Sequence, residues 1–354
     1  MKHFATSLTA VFLLFFVTAC EKETPQPTPT PEPEKWVVAD LDIKSSWLKV
    51  AQSDDKLFIL NRLELMTLNK DGKLESQYPL PVNDILDFGI GKEVFFWTTY
   101  EGTNAFLNVA PNNNPSKARK LSLNVFGNKS IYRFNFRNET PEAGYFNNQN
   151  QLLFLGSSSD SLKPYFSLTI DVALNADKSD FVDCRVVNKN EFAFPRWSLN
   201  ALRQSTILDD RIYICDKSST MRIDNNSAQV VAPFLSNEYA QGIFKWKEKL
   251  YIPYFKWENT KQIFYKSSSD KGITWDFEAI TDTIQASSVA VINNKLVTFS
   301  GDLGGFYVSD GLSGFKKIYA EGLPKLDYAY TRFVYFGGFY YLIAGKKVYK
   351  ISQI

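Results

Sequence analysis

The chain has 354 residues, 15% of them aromatic, and its 40 basic residues nearly balance its 38 acidic ones, for a formal net charge of +2. Such a balance excludes the basic footprint that nucleic-acid-binding proteins need, and we expect no nucleic-acid partner. The only histidine is His3, so the rest of the chain cannot form a Ser-His-Asp or Cys-His nucleophile system or a histidine-ligated metal site. We expect no metal and no cofactor.

The first 19 residues have the organisation of an export signal. Lys2 and His3 precede an apolar run at 11–17, and the small residue Ala19 stands directly before Cys20. The run is shorter than the roughly 20 apolar residues that span a bilayer. We therefore interpret residues 1–19 as a lipoprotein signal peptide; an ordinary secretory signal with an incidental cysteine is the alternative.

The sequence Val17-Thr18-Ala19-Cys20 resembles the bacterial lipobox. That resemblance implies that the Cys20 thiol is acylated and that the protein contacts a membrane through this lipid. The proline-rich run that follows has a stiff polyproline II spacing of about 3.1 Å per residue, so residues 20–35 are interpreted as the lipidated cysteine and its tether. The acidic residues behind Cys20 resemble the surface-export signals of Bacteroidetes lipoproteins, which implies an outer-membrane lipoprotein on the cell surface, with the periplasmic face as the alternative.

Two further cysteines, Cys184 and Cys215, lie inside apolar strand patterns. Disulfides persist in an envelope compartment, so these two residues could form one. Two buried free thiols are the alternative.

Seven compact apolar runs, each preceded by a turn pair, recur along the chain. They are KLFIL at Lys56, EVFFW at Glu93, QLLFL at Gln151, RIYIC at Arg211, KLYIP at Lys249, KLVTF at Lys295 and FYYLI at Phe339. Their mean spacing is about 47 residues, within the range of four-stranded propeller blades. Most are followed by a second strand pattern and an Asp, Asn or Gly turn, which is typical of hairpins.

This repeat predicts an all-β chain in which residues 36–354 form a seven-bladed β-propeller. Helix should account for less than a tenth of the residues, and six or eight blades are the alternatives. The last repeat retains only one further strand pattern, at 347–354, and the first apolar run, at 36–43, has no partner. We predict that these terminal strands pair and close the ring, which removes two exposed edges.

One turn of the repeat matches a named motif. Residues Ser268, Asp270, Gly272, Thr274 and Trp275 follow the pattern S-x-D-x-G-x-T-W, which resembles the Asp-box of sialidase-like BNR-repeat propellers. In such a turn the aspartate accepts backbone N–H bonds, the glycine adopts a positive φ and the tryptophan packs into the blade. In the family these boxes lie away from the ligand face, so the resemblance implies a structural role and a fold.

A sialidase also needs an arginine cluster, a tyrosine activated by a glutamate and an acidic general acid, with an Arg-Ile-Pro signature near its first blade. The signature is absent, and the nearest string, Phe194-Pro195-Arg196-Trp197, lies mid-chain in another order. We therefore transfer none of the family's catalytic roles, and catalytic residues stay unassigned. The sequence favours a protein that is not an enzyme.

Ligand contacts are expected at one mouth of the propeller channel, in loops of variable length. Segments 132–146, 191–200 and 251–261 mix aromatic residues with charged ones. The candidates for exposed ligand contacts are Arg196, Trp197, Tyr254 and Trp257. Each neighbours a proline or a charge, and packing inside a blade is the alternative for any one of them.

The sequence thus predicts an envelope-anchored lipoprotein whose propeller binds a glycan or an envelope protein without catalysis. One alternative is a glycoside hydrolase of the sialidase-like propeller class that uses carboxylates alone, placed about 5–10 Å apart. The other is a scaffold subunit of an outer-membrane complex, which would present a large exposed apolar patch.

Overall fold

The computed structural model divides the chain into two units, Met1–Glu34 and Lys35–Ile354. It describes residues 35–39, 41–44, 48–80, 88–102, 104–124, 131–132, 144–146, 151–158, 165–192, 204–209, 211–215, 219–224, 227–278, 289–300, 305–318, 321–323, 331–344 and 346–354. All of them belong to the second unit. Strand accounts for 66% of the structure and helix for 2%, which confirms the all-β prediction.

The strands form seven separate antiparallel sheets, here called blades. The first strand of the chain, β1 (Val37–Ala39), belongs to the last blade. Blade 1 contains β2 (Leu48–Gln52), β3 (Lys56–Asn61), β4 (Glu64–Asn69) and β5 (Leu74–Pro79). Blade 2 contains β6 (Phe88–Ile90), β7 (Val94–Glu101), β8 (Asn104–Pro111) and β9 (Arg119–Ser122), with a short 3-10 helix at Pro115–Lys117.

Blade 3 has a first strand in two pieces, as does blade 5. Blade 3 contains β10 (Ile131–Tyr132), β11 (Gly144–Phe146), β12 (Gln151–Ser158), β13 (Tyr165–Leu174) and β14 (Phe181–Phe192). Blade 4 contains β15 (Gln204–Leu208), β16 (Arg211–Cys215), β17 (Ser219–Ile223) and β18 (Ala228–Pro233). Blade 5 contains β19 (Glu238–Ala240), β20 (Phe244–Trp246), β21 (Lys249–Lys256), β22 (Asn259–Ser268) and β23 (Asp276–Glu278).

The last two blades complete the ring. Blade 6 contains β24 (Val289–Ile292), β25 (Lys295–Ser300), β26 (Gly305–Ser309) and β27 (Lys316–Lys317). Blade 7 contains β28 (Thr331–Phe336), β29 (Phe339–Ala344) and β30 (Lys347–Ile351), followed in space by β1. The first strands of successive blades contact one another, β2 with β6 and β28, and β20 with β15 and β24. The protein is a seven-bladed β-propeller with these first strands innermost.

The seven apolar runs of the sequence are the second strands of the seven blades: β3, β7, β12, β16, β21, β25 and β29. A second strand is flanked by strands on both sides and by neighbouring blades on both faces, so most of its side chains are buried, as in β3 and β7. Outer strands such as β5 are largely exposed. Because both faces of a second strand are buried, its sequence is a continuous apolar run. A strand with one exposed face alternates apolar and polar residues instead.

Tight turns precede these second strands. Lys247 and Glu248 both have positive φ, at 47° and 63°, and so do Asn293 and Asn294, at 50° and 60°. A two-residue hairpin with both central residues at positive φ is the type I′ turn, whose twist matches that of the flanking strands. The turn pairs in the sequence therefore mark the hairpins between first and second strands.

The ring closes between the two ends of the chain, as predicted. β1 pairs antiparallel with β30, from Val37 opposite Lys350 to Ala39 opposite Val348. Trp36, just before β1, is buried among side chains of blades 6 and 7, and its ring meets Phe333 edge-on at 6.0 Å. The first residues of the unit thus complete blade 7 and fill the gap between it and blade 6.

The strand order gives the propeller two different ends. We call the end that carries the turns between first and second strands and between third and fourth strands the turn end. The opposite end, called the connector end, carries the hairpins between second and third strands and the connections from blade to blade. Within the described residues, no helix is long and apolar enough to cross a membrane.

Candidate binding site

The four predicted ligand contacts have different outcomes. Arg196 and Trp197 lie outside the described residues, as does Cys20. Trp257 is 67% exposed, whereas Tyr254 is only 1% exposed. Exposure therefore agrees with the prediction at Trp257 and contradicts it at Tyr254.

Tyr254 is a packing residue of β21, and the prediction of an exposed contact there was wrong. Its ring contacts Phe234 at 5.7 Å and Phe264 at 5.6 Å. Burial raises the pKa of its hydroxyl well above the usual value, with a smaller contribution from Glu238. The neighbouring Pro253 suggested a loop, but it lies within the strand, where its carbonyl accepts a hydrogen bond from Gln241 N at 2.8 Å.

Trp257 stands at the connector end, in the hairpin between β21 and β22, on a stack of aromatic rings. Phe255 lies opposite Tyr239 in the β19–β21 ladder, with ring centroids 5.4 Å apart and planes at 12°. Tyr239 in turn lies 5.5 Å from Trp257, with the planes at 42°. We call Tyr239, Phe255 and Trp257 the Trp257 platform.

An irregularity in β21 accompanies the platform. Tyr254 pairs with Phe264 in β22, but the next pair is Lys256 with Asn259, so the register shifts at Phe255. A bulge of this kind bends a strand and redirects side chains, and such bulges are frequent beside functional sites. Here the bulge falls where β21 changes from Tyr254, whose ring packs against Phe264, to Phe255, whose ring belongs to the platform.

Polar groups hold the edge of the platform in place. Trp257 N donates to the carbonyl of Asn237 at 2.8 Å, and the Asn237 side-chain amide donates to Glu258 Oε1 at 3.0 Å. Asn237 belongs to the connection between blades 4 and 5, so two connector-end segments are joined here. The result is a fixed backbone at the exposed Trp257 and a held carboxylate on the next residue, Glu258.

An ion pair with little solvent exposure stabilises the same connection between blades 4 and 5. Lys266 Nζ lies 3.1 Å from Glu238 Oε2 and 4.2 Å from the centre of the Phe234 ring. Glu238 Oε2 also accepts a hydrogen bond from Leu235 N at 3.1 Å. Because a buried carboxylate is costly unless it is paired and hydrogen-bonded, this arrangement fixes the segment that positions Asn237.

A second exposed aromatic on blade 5 belongs to a different group of rings. Phe277 in β23 is 56% exposed and packs on Phe264 at 5.9 Å. Lys256 Nζ lies over these two rings, at 5.1 and 5.9 Å from their centres. This cluster contains Tyr254 but none of the platform rings, which makes Phe277 a useful control for Trp257.

The motif Ser268–Trp275 forms the turn between β22 and β23 at the turn end, opposite the platform. Asp270 accepts hydrogen bonds from Ile273 N at 3.0 Å, Thr274 N at 2.9 Å and Thr274 Oγ1 at 2.6 Å. Ser268 Oγ donates to Asp270 at 2.7 Å and accepts from Gly272 N at 2.8 Å. Gly272 has φ of +80°, a value that favours glycine.

The same turn joins blades 4 and 5. Trp275 Nε1 donates to the carbonyl of Val231 in β18 at 2.9 Å, and Tyr213 in β16 donates to the carbonyl of Lys271 at 2.8 Å. Asp270 accepts hydrogen bonds from Thr274 and from the Ser268 side chain. These bonds, those from Thr274 first, lower the pKa of Asp270 to about 2. Each of the five motif residues thus has a part in the turn or in the contact between blades.

Cys184 and Cys215 are both free thiols, so the disulfide is not formed; of the alternative of two buried free thiols, Cys215 is buried and Cys184 is half-buried. Cys184 lies in the outer strand β14 of blade 3, whereas Cys215 lies within blade 4, between β15 and β17. Cys215 Sγ accepts a hydrogen bond from Thr220 at 3.4 Å. Burial raises the pKa of Cys184 to about 11, which makes it a poor nucleophile at neutral pH.

Two of the described carboxylates, Glu64 and Asp209, have structural partners. Glu64 is buried and accepts hydrogen bonds from Gln77, Lys44 N and Asn61, which lower its pKa against the opposing effect of burial. A general acid needs a raised pKa. Asp209 is a turn residue that pairs with Lys271, and the described residues contain no group of three or more His, Cys, Asp or Glu placed to hold a metal ion.

No protein family model and no curated protein matches the chain. Solved structures with similar folds include BamB from Moraxella catarrhalis, with 10% identity and a TM-score of 0.45 over 85% of this chain and 83% of that chain. The extracellular domain of a hybrid two-component system from B. thetaiotaomicron has 11% identity and a TM-score of 0.49 over 90% of this chain and 40% of that one. AztD from Citrobacter koseri has 10% identity and a TM-score of 0.44, over 83% and 79%.

Because these sequence identities are low, the fold class is assigned from the order of strands in the protein's own sheets. That class is the seven-bladed β-propeller, a fold that hosts many unrelated functions. Function must therefore be argued from the site.

Proposed function

We propose that the protein is an outer-membrane lipoprotein, anchored through Cys20 at the cell surface, whose propeller binds a glycan or a protein partner without catalysis. The observation that carries the binding proposal is the exposed Trp257, held on an aromatic stack at the connector end. A largely exposed tryptophan loses much of the favourable burial that this side chain normally provides. Exposed aromatics on fixed turns are therefore good candidates for ligand contacts.

The anchoring proposal is supported by the sequence before the propeller. The lipobox ends at Cys20, the proline-rich tether continues to residue 35, and β1 begins at Val37. A tether of about 15 residues in polyproline II spacing reaches some 45 Å.

Anchoring is tested with the variant Cys20→Ala. The wild-type protein should incorporate a radiolabelled fatty acid and sediment with outer membranes, and the variant should do neither, because the acylated thiol is lost. A matched Cys184→Ala variant should behave like wild type. Equal labelling of wild type and Cys20→Ala would contradict the proposal.

Binding is tested on the mature protein with a glycan array and a parallel pull-down of envelope proteins. Trp257→Ala should reduce binding of the best ligand at least tenfold, and Phe277→Ala, which removes an exposed ring of the neighbouring cluster, should leave it unchanged. Products of each bound glycan are analysed in the same assay. Turnover of a bound glycan would contradict the non-catalytic assignment, and the absence of any ligand would contradict the binding function.

A further inference from the structure

The Trp257 indole contacts the ring of Tyr239 and is otherwise largely exposed. The two ring centres lie 5.5 Å apart with the planes at 42°, and Trp257 is 67% exposed. Among the other described tryptophans, Trp36, Trp97 and Trp246 are buried. Trp257 therefore leaves enough aromatic surface exposed for a ligand to stack on, while Tyr239 contacts the same ring from the protein.

This surface is preorganised. The backbone of Trp257 is held by Asn237 O, and the Glu258 carboxylate is held by the Asn237 amide. A ligand that stacks here would find the ring and the carboxylate in place, which reduces the ordering cost of binding. Asn237 is joined to Trp257 by the backbone hydrogen bond, Glu258 follows Trp257 in the sequence, and both polar side chains are at least partly exposed.

A pyranose ring fits this combination of groups. One side of such a ring is a sheet of C–H bonds that packs on an aromatic face, and its rim carries hydroxyls. A hydroxyl donates well to a carboxylate, since hydrogen bonds to a charged acceptor are stronger than neutral ones. Glu258 keeps a second carboxylate oxygen for that purpose, because the Asn237 amide contacts Oε1.

An extended peptide fits less well. A common way for an extended peptide to bind a sheet is to add a strand to an open edge. Trp257 lies in the hairpin between β21 and β22, and each of these strands is paired on both sides within blade 5. The unpaired edge nearest the platform is that of β19, which pairs with β21 alone and has only three residues, Glu238–Ala240, to offer a peptide.

The charge of Glu258 selects among sugars. An anionic sugar would place its carboxylate near that of Glu258, and like charges repel in a partly desolvated contact. The adjacent cation, Lys256, lies over the rings of Phe264 and Phe277 and not over the platform. We propose that Trp257, Glu258 and Asn237 form a subsite for a neutral pyranose ring. This rests on the proposed binding function and specifies its ligand.

The probes are neutral hexasaccharides of glucose, mannose and xylose, with hexagalacturonate and sialyllactose as acidic probes. Binding to the full mature protein is measured by calorimetry, and the site by the fluorine NMR of 5-fluorotryptophan-labelled protein, in which Trp257→Phe assigns the Trp257 resonance. At least one neutral probe should shift that resonance, and Trp257→Ala should weaken its binding at least tenfold. Glu258→Gln should weaken neutral binding severalfold and raise the affinity for the acidic probes, while Phe277→Ala should change neither.

Several results would overturn the subsite. If a neutral glycan binds equally well to Trp257→Ala, the binding function stands and the subsite is wrong. If the acidic probes bind wild type better than the neutral ones, the charge argument is wrong. If only a protein partner binds in a Trp257-dependent manner, the ligand class is wrong, and if nothing binds, the proposed function fails with it.

Discussion

Two tyrosines at equivalent positions make different contacts. Tyr213 and Tyr341 are each the third residue of the second strand of their blade, and both are buried. The Tyr213 hydroxyl donates to the Lys271 carbonyl in the next blade, whereas the Tyr341 hydroxyl has no hydrogen-bond partner among the described residues. It faces Gly72 of blade 1, where a Cβ would lie 2.5 Å from the hydroxyl oxygen.

Replacement of these tyrosines by phenylalanine should therefore have different effects. Tyr213→Phe removes a hydrogen bond and should lower the free energy of unfolding by about 1 kcal/mol. Tyr341→Phe removes a buried hydroxyl without a partner and should be neutral or slightly stabilising. Urea denaturation of both variants measures the difference, and equal losses would show that Tyr341 has a partner.

Asp270 should make stability depend on pH in the acid range. Its pKa is lowered to about 2 by the Thr274 and Ser268 hydrogen bonds, below the ordinary value of about 3.9. A lowered pKa gives a contribution that is fully present above the unfolded-state pKa and is lost as the pH falls through about 2. Asp270→Asn should thus lower the melting temperature at pH 7 and flatten its decline between pH 4 and pH 2.

The control for this prediction is Asp310→Asn, in the corresponding turn of blade 6. Asp310 is exposed, and its carboxylate lies 4.0 Å from Lys295 Nζ in a distant ion pair. Its replacement should leave the acid profile unchanged. Identical profiles for wild type and Asp270→Asn would mean that the Asp270 hydrogen bonds do not persist in solution.

At the level of elements, the short strand β1 has a large structural role. It covers β30, and the adjacent Trp36 is buried between blades 6 and 7. Deletion of residues 36–43 should expose the edge of β30 and empty the space of the indole, so the melting temperature should fall sharply. Deletion of residues 22–33 in the tether should leave the melting temperature unchanged. An unchanged melting temperature after deletion of residues 36–43 would contradict the closure of the ring by β1.

The elements also differ in how well the sequence predicts them. The second strands could be found because both faces are buried, which leaves an uninterrupted apolar run such as that at Leu57–Leu60. The outer strands are mostly exposed, as at Leu74–Pro79, and have no comparable pattern. The split first strand of blade 5 and the bulge at Phe255 depend on pairing between distant residues, which no local pattern records.

The residues of the candidate site also differ in how well the sequence predicts them. Trp257 could be predicted because it neighbours charged residues at the end of a strand pattern. Tyr254 has similar neighbours but lies within β21, so its burial follows from the sheet and not from the local sequence. Tyr239 and Phe255 were missed, because their stacking requires the register of β19 against β21.

On the scale of the whole molecule, the pairing that closes the ring joins β1, near the start of the propeller sequence, to β30, near its end. Val37 pairs with Lys350, so nearly the entire chain lies between the two partners. Contacts of such long sequence separation form late and slowly, because the loop-closure entropy must be overcome first. The ring cannot be completed until β30 has emerged, and for a chain exported as we propose this ordering keeps the propeller open until β30 has crossed the membrane.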